Sequence, residues 1–276
     1  MSPTRRTSRR PLARRRVTLT AVMGAVLAVS LTACSDGVGS WGTLGMPVKK
    51  GSEQAGVMQS LWNGAWIAAL ATGVVVWGLI LWACLFHRKR RNSGPELPPQ
   101  VRYNLPIEIL YTVVPVIMVA VFFYFTARDE TEITKVTGTA PVKVKVEGFQ
   151  WSWRFTTAYQ GKTAVAAGVP VDLAKQSLQT PQGPQLVLPQ GSEVEFDLES
   201  PDVIHSFWVP GFLFKQDVMP GVHNRFQLKT LNESGVFFGR CAELCGQDHS
   251  RMLFSVKLVP QAEFDQYIAA QAGSAQ

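Results

Sequence analysis

Residues 240–252 read Arg-Cys-Ala-Glu-Leu-Cys-Gly-Gln-Asp-His-Ser-Arg-Met. Cys241, Cys245, His249 and Met252 set two thiols, an imidazole and a thioether in the pattern Cys-x3-Cys-x3-His-x2-Met. Soft and borderline donors of this kind suit copper far better than magnesium or calcium. A one-copper electron-transfer site takes one Cys, two His and a weak axial Met. The stretch therefore has one thiol too many and one imidazole too few.

Four histidines exist to supply the missing imidazole. His87 sits in the basic block His87-Arg88-Lys89-Arg90-Arg91, His223 follows a Pro-Gly turn, and His205 lies in a strand-like run from Ser200 to Trp208. Copper-binding sandwiches take one His from an earlier strand and the Cys, His and Met from a late loop. His205 and His249 reproduce that layout as the two imidazole ligands. Two thiolates then allow two coppers bridged by both sulfurs, a centre that shares one electron over two metals and suits rapid electron transfer. Taken alone, Cys-x3-Cys also describes a disulfide or half of a zinc site. A disulfide needs neither His nor Met, and zinc seldom takes Met. By itself His205 would be an ordinary strand residue; its weight comes from the cluster downstream.

These side chains need a scaffold. With 276 residues, 46% of them apolar, and a mean hydropathy of +0.08, the chain holds one or two domains and is rather apolar for a purely soluble protein. The net charge of +7 and the pI near 9.4 invite a nucleic-acid partner, but seven arginines (Arg5, Arg6, Arg9, Arg10, Arg14, Arg15, Arg16) precede residue 34. Without them the rest is neutral, so no nucleic acid is expected. Four cysteines are too few for a disulfide-rich secreted scaffold.

The basic start, the apolar run 17–33 and the small residues before Cys34 describe a secretory signal over 1–33. Leu31-Thr32-Ala33-Cys34 resembles a lipobox, which would make Cys34 a lipidated first residue of the mature chain; an uncleaved signal anchor with an incidental Cys is the alternative. Residues 34–60 read as a tether. Residues 61–86 and 105–127 are uncharged apart from Glu108 and long enough to span a bilayer, with a basic cytoplasmic loop at 87–104 between them. Cys84 in the first span reads as a packing residue. Asn104, Pro106 and Glu108 form a helix start. Glu108 is either a first-turn carboxylate favoured by the helix dipole or a proton-feeding carboxylate at the inner membrane edge.

Beyond residue 128 everything should lie outside the cytoplasm. Strand periodicity runs through 142–156, with further short strands at 185–188, 194–198, 203–209, 225–229, 235–239 and 253–258. Such a series predicts a β-sandwich or barrel. Residues 157–184, rich in Ala, Gln, Gly and Pro, read as a long hairpin insertion. A last helix begins at 261, and 261–276 is a helix with a tail.

The spans, the strand series and the Cys-x3-Cys-x3-His-x2-Met loop together resemble subunit II of the haem-copper cytochrome c oxidases, over roughly residues 60–265. The resemblance implies a two-helix transmembrane hairpin plus an all-β, cupredoxin-like Greek-key domain over 128–260. It implies a dinuclear copper A centre: Cys241 and Cys245 bridge, His205 and His249 are terminal, Met252 is a weak axial ligand and Glu243 ligates through its carbonyl. The Glu243 side chain would reach a magnesium shared with subunit I, and no haem is expected in this chain. Gln150-Trp151-Ser152-Trp153 looks like the family's aromatic stretch, with Trp151 as the residue through which electrons arrive; read alone, those tryptophans are strand packing. Glu108 in Ile107-Glu108-Ile109 would match the mouth of a proton channel in subunit I. The implied activity is that of a respiratory, proton-translocating cytochrome c oxidase in a bacterial cell membrane, with subunits I and III as partners and no oxygen reduction by this chain alone. Residues 105–276 carry a net −4, which favours a basic cytochrome c. The lipobox and the 157–184 insertion look actinobacterial, where a cytochrome c domain of a neighbouring cytochrome bc complex can be the donor. A thioredoxin-like copper chaperone would alternate helices with strands, a quinol-oxidase subunit would lack the ligands, and nitrous oxide reductase would bring a propeller.

Overall fold

The computed structural model describes residues 44–88, 100–175 and 183–273. Cys34 and the expected signal lie outside the described residues. Two long helices come first, α1 over Gln54–Phe86 and α2 over Leu105–Ile133. Their side chains are apolar on every face and uncovered by protein, Val74 and Phe123 among them. An all-round apolar helix belongs in a non-aqueous environment, and 33 and 29 residues exceed the roughly 20 needed to cross a bilayer core. Both helices overrun the expected spans because residues 54–60 of one and 128–133 of the other continue the helix up to the β domain, where Ala55, Gln59, Asp129 and Ile133 are buried. At the start of α2 the Asn104 side chain accepts from the Ile107 amide (3.4 Å), while the Glu108 carboxylate accepts from the Asn104 amide (2.9 Å). This reciprocal pair satisfies two amides that the first turn leaves without helical partners.

The outer domain is a sandwich of two five-stranded sheets. One has the order β3-β2-β1-β5-β8 and the other β4-β10-β9-β6-β7. The strands are β1 Val142–Phe149, β2 Ser152–Tyr159, β3 Lys162–Ala167, β4 Gln185–Pro189, β5 Glu193–Glu199, β6 His205–Val209, β7 Phe214–Val218, β8 Asn224–Lys229, β9 Gly235–Cys241 and β10 Leu253–Val259. β1 with β5 and β4 with β10 pair in parallel, while the other neighbours are antiparallel, as crossovers between the layers require. This is the expected cupredoxin-like, Greek-key class. Inward residues alternate along β1 (Val142, Val144, Val146) and stack with Phe155, Phe196, Phe207, Phe226 and Phe254 between the sheets. The Phe207 and Phe254 rings lie 4.9 Å apart and stacked, and Phe196 and Phe226 4.5 Å apart. A closing helix, α3 (Gln261–Gly273), buries Phe264 and Ile268.

The structure adds detail to three sequence expectations. The run 142–156 is not one strand: it turns at Gln150-Trp151, after which the buried positions switch from even (Val142, Val144, Val146) to odd (Trp153, Phe155, Thr157). The insertion at 157–184 is in its first part an ordinary hairpin, since β2 continues to Tyr159 and β3 returns along it. The tether over 34–60 ends in a strap. The Gly51 amide donates to Gly211 O (2.9 Å), Leu231 donates to Gly51 O (3.1 Å), Ser52 bridges Thr230 and Glu53 donates to Lys229 O (2.9 Å). A Cβ at Gly51 would run into the Phe212 ring, so only glycine lies this close.

Candidate metal centre

Two strands and one loop build the site. β6 opens with His205 pointing into the sandwich, and β9 ends with Cys241, which stands opposite Phe207 in the β6–β9 register. The chain then leaves the sheet, passes Cys245, makes a short 3-10 turn over His249–Arg251 and re-enters as β10 just after Met252. The loop is closed at its base, where the Cys241 amide donates to Met252 O (3.1 Å), and fixed sideways by Ala242 donating to Ser206 O (3.1 Å).

Five donor atoms converge there. Cys241 Sγ lies 3.8 Å from Cys245 Sγ and 3.9 Å from His205 Nδ1. Cys245 Sγ lies 3.5 Å from His249 Nδ1 and 3.8 Å from Met252 Sδ. The Glu243 carbonyl is 3.3 Å from Cys241 Sγ, whereas the Glu243 side chain is exposed and accepts from the Leu244 amide (3.2 Å). His205, Cys241, Cys245 and Met252 are all buried. At 3.8 Å the sulfurs are free thiols, too far apart for the ~2.05 Å disulfide bond, and close enough for one ion at ~2.3 Å to touch both. Two thiols, two imidazoles and a thioether fit a copper-type occupant and suit no hard cation.

The surrounding groups hold these donors in place. Asp202 accepts from, or pairs with, His205 Nε2 at 2.8 Å, which turns Nδ1 toward the sulfurs, and its other oxygen accepts from the Gln150 amide (2.7 Å). Gln150 Nε2 and Trp151 Nε1 both donate to the Cys245 carbonyl, at 2.9 and 3.1 Å. Gly246, with φ +122°, leaves room for that approach; a Cβ there would press on the Trp151 indole. Trp153 Nε1 donates to Met252 O (3.3 Å) from the core side.

Protonation divides the two thiols. Burial resists ionising Cys241, but His205, the Glu243 and Ser206 backbone and Cys245 together outweigh it and bring the thiol down to about 7. Burial and then the neighbouring Cys241 charge push Cys245 up to about 12. Burial lowers His205, yet its bonds to Cys241 and Asp202 leave it raised above the usual imidazole range. Burial also works against ionised Asp202, but His205 and the Gln150 and Val203 amides hold it below the ordinary carboxylate value.

Of the residues expected from sequence, the structure gathers His205, Cys241, Cys245, His249, Met252 and the Glu243 carbonyl, with Trp151 at the rim. Glu108 stands apart: α2 has 29 residues, so its first turn lies roughly 40 Å from the end that enters the β domain. Sequence reasoning missed Asp202 and Gln150. An Asp in a Ser-Pro-Asp turn three residues before a candidate ligand was the available signal for the first.

The profile of the family described as "Cytochrome C oxidase subunit II, periplasmic domain" matches residues 142–259. A probable cytochrome c oxidase subunit 2 of Streptomyces avermitilis is 47% identical over 289 aligned positions, covering 95% of this chain and 88% of that protein. The cytochrome c oxidase subunit 2 of Mycobacterium tuberculosis is 35% identical, covering 92% and 81%. The chain belongs to the cytochrome c oxidase subunit II family. Among solved structures, the periplasmic domain of subunit II from Bradyrhizobium japonicum aligns with a TM-score of 0.42 at 28% identity, over 49% of this chain and 96% of that one. Family membership makes the chain a component of an oxidoreductase complex built around the oxidase core. It is a membrane protein with two apolar helices and an extracytoplasmic, copper-binding type of domain.

Proposed function

We propose that this chain is the electron-accepting subunit of a respiratory oxidase. It takes electrons from cytochrome c, or from a cytochrome c domain of a neighbouring complex, and delivers them to the haem and copper of subunit I, where oxygen is reduced and protons are pumped. The observation that carries this reading is the convergence of five soft or borderline donors, with sulfurs 3.8 Å apart, on one buried point. Cys241 and Cys245 would bridge two copper ions, His205 and His249 would bind one each, and Met252 and the Glu243 carbonyl would complete the set. When bound, the pair supplies a one-electron acceptor whose charge is shared between two metals.

The chain's own residues do the rest. Asp202 and the closed base of the loop fix the donors before any electron arrives, so redox change meets a site with little freedom to reorganise. Burial excludes water from the sulfurs. Trp151 sets its indole at the rim, hydrogen-bonded to the carbonyl of Cys245, and is the residue on which a donor would dock its own electron-carrying edge. The exposed Glu243 carboxylate is available to a magnesium shared with subunit I. Glu108 would feed protons into subunit I from the far end of α2. Cys34 would carry a lipid after signal cleavage in the cell membrane.

Metal analysis and electron paramagnetic resonance on the full-length chain in detergent test the reading. Two coppers per chain with a mixed-valence spectrum are expected; a protein that stays metal-free or takes one copper after loading overturns it. Mass spectrometry of the mature amino terminus decides Cys34.

A further inference from the structure

We propose that Arg251 is a positioning residue, which locks the turn bearing His249 and Met252 to the segment that follows β3. Its guanidinium forks between two acceptors: Nε donates to Val171 O at 2.7 Å and Nη1 to the Asp248 carboxylate at 3.1 Å. The backbone repeats the link in the other direction, since the Val171 amide donates to Arg251 O at 2.9 Å. Asp248 and Arg251 are also the two ends of the 3-10 turn, with the Arg251 amide donating to Asp248 O (2.9 Å). One side chain thus staples the turn to itself and to a distant segment.

The anchor is firm. Val171 is 4% exposed, whereas its neighbours Val169 and Leu173 are 75% and 46% exposed. A surface Arg–Asp pair alone contributes at most about 1 kcal/mol, so a surface ion pair would not single out this residue. A forked donor reaching a carbonyl that belongs to a buried anchor does. The next residue is Met252, whose sulfur lies 3.8 Å from Cys245 Sγ and whose carbonyl is already held from the core side by Trp153 (3.3 Å). Trp153 and Arg251 therefore hold the Met252 turn through two separate links, and the placement of the thioether against the sulfurs depends on both. Lysine cannot replace the fork, because a single ammonium lacks the planar pair of donors.

The proposal rests on the copper reading only for its spectroscopic readout. It is tested on the full chain assembled in the oxidase, comparing the native protein with Arg251→Gln and Arg251→Lys. Hydrogen exchange at the amides of Val171, Arg251 and Met252 should quicken about tenfold in Arg251→Gln. Copper content should stay native while the hyperfine splitting and midpoint potential of the site shift. Arg251→Lys should shift the same quantities in the same direction, and it carries the test if the Gln variant does not accumulate. Native exchange, splitting and potential in Arg251→Gln would overturn the proposal, as would full restoration by Arg251→Lys, which would mean that charge alone suffices. Should the native chain prove copper-free, the proposed function fails, while the exchange comparison still decides the role of Arg251.

Discussion

Trp151 and Trp153 stand two residues apart, and each donates its indole N–H to a backbone carbonyl of the metal loop. Trp151 reaches Cys245 O at 3.1 Å and Trp153 reaches Met252 O at 3.3 Å. Their surroundings differ completely. Trp153 is fully buried, edge-on to Phe207 and Phe254 with centroids 5.9 and 5.2 Å away, while Trp151 sits at the rim, half-buried beside Gly246. The same bond to the same loop thus accompanies full burial in one case and leaves part of the indole uncovered in the other. The turn at Gln150-Trp151 makes the difference, because it reverses which parity of residue faces the core.

Trp153→Ala should break the comparison most severely. Losing a fully buried indole costs about 3–5 kcal/mol, read as a lowered unfolding midpoint of the purified chain, with copper lost as the loop comes free. The two thiols give the next contrast. In the metal-free chain, alkylation of Cys241 should reach half its maximum near pH 7, and that of Cys245 only toward pH 12. The Cys241 pKa falls from 9.0 to about 7 on folding, so the stability its thiolate lends is complete above pH 9 and is lost as pH falls through about 7. Cys245 has the opposite sign: the stability from its neutral thiol is full below pH 9 and fades as pH climbs toward about 12. Equal alkylation of both at pH 8 would contradict this division.

Trp151→Ala should change rate rather than stability. Electron uptake from the donor should slow at least about tenfold, equivalent to about 1.4 kcal/mol, with copper retained; an unchanged rate returns Trp151 to a packing role. Trp151→Phe is the finest probe, since it keeps an aromatic face and removes only the bond to Cys245 O. Unfolding should move by about 1 kcal/mol or less, and uptake should fall between the native and Ala values.

The site was legible because its chemistry restricts composition: two thiols, an imidazole and a thioether cannot crowd twelve residues without declaring a soft metal, and scarce histidine pointed to His205. Most strands announced themselves through alternation. The two that did not, β3 and β7, are edge strands, one in each sheet; the other edges, β4 and β8, bury enough consecutive residues to be read. An edge strand has a single neighbour and buries less, so Lys162-Thr163-Ala164-Val165-Ala166-Ala167 and Phe214-Lys215-Gln216-Asp217-Val218 show little of the apolar rhythm that β1 displays. The strap at Gly51–Glu53 was hidden for another reason. Its hold comes from backbone hydrogen bonds, and backbone groups leave no trace in side-chain pattern.

That strap changes how the β domain stands on the membrane. Through α2 alone the domain would turn on a single pivot, and its height over the bilayer would wander. With Gly51, Ser52 and Glu53 bonded to Gly211, Leu231, Thr230 and Lys229 immediately before α1 begins, the domain is mounted on two posts. For the proposed electron-accepting role, where transfer slows steeply with each added ångström, a donor–acceptor gap set by two supports gives one rate where a swivelling head would give many.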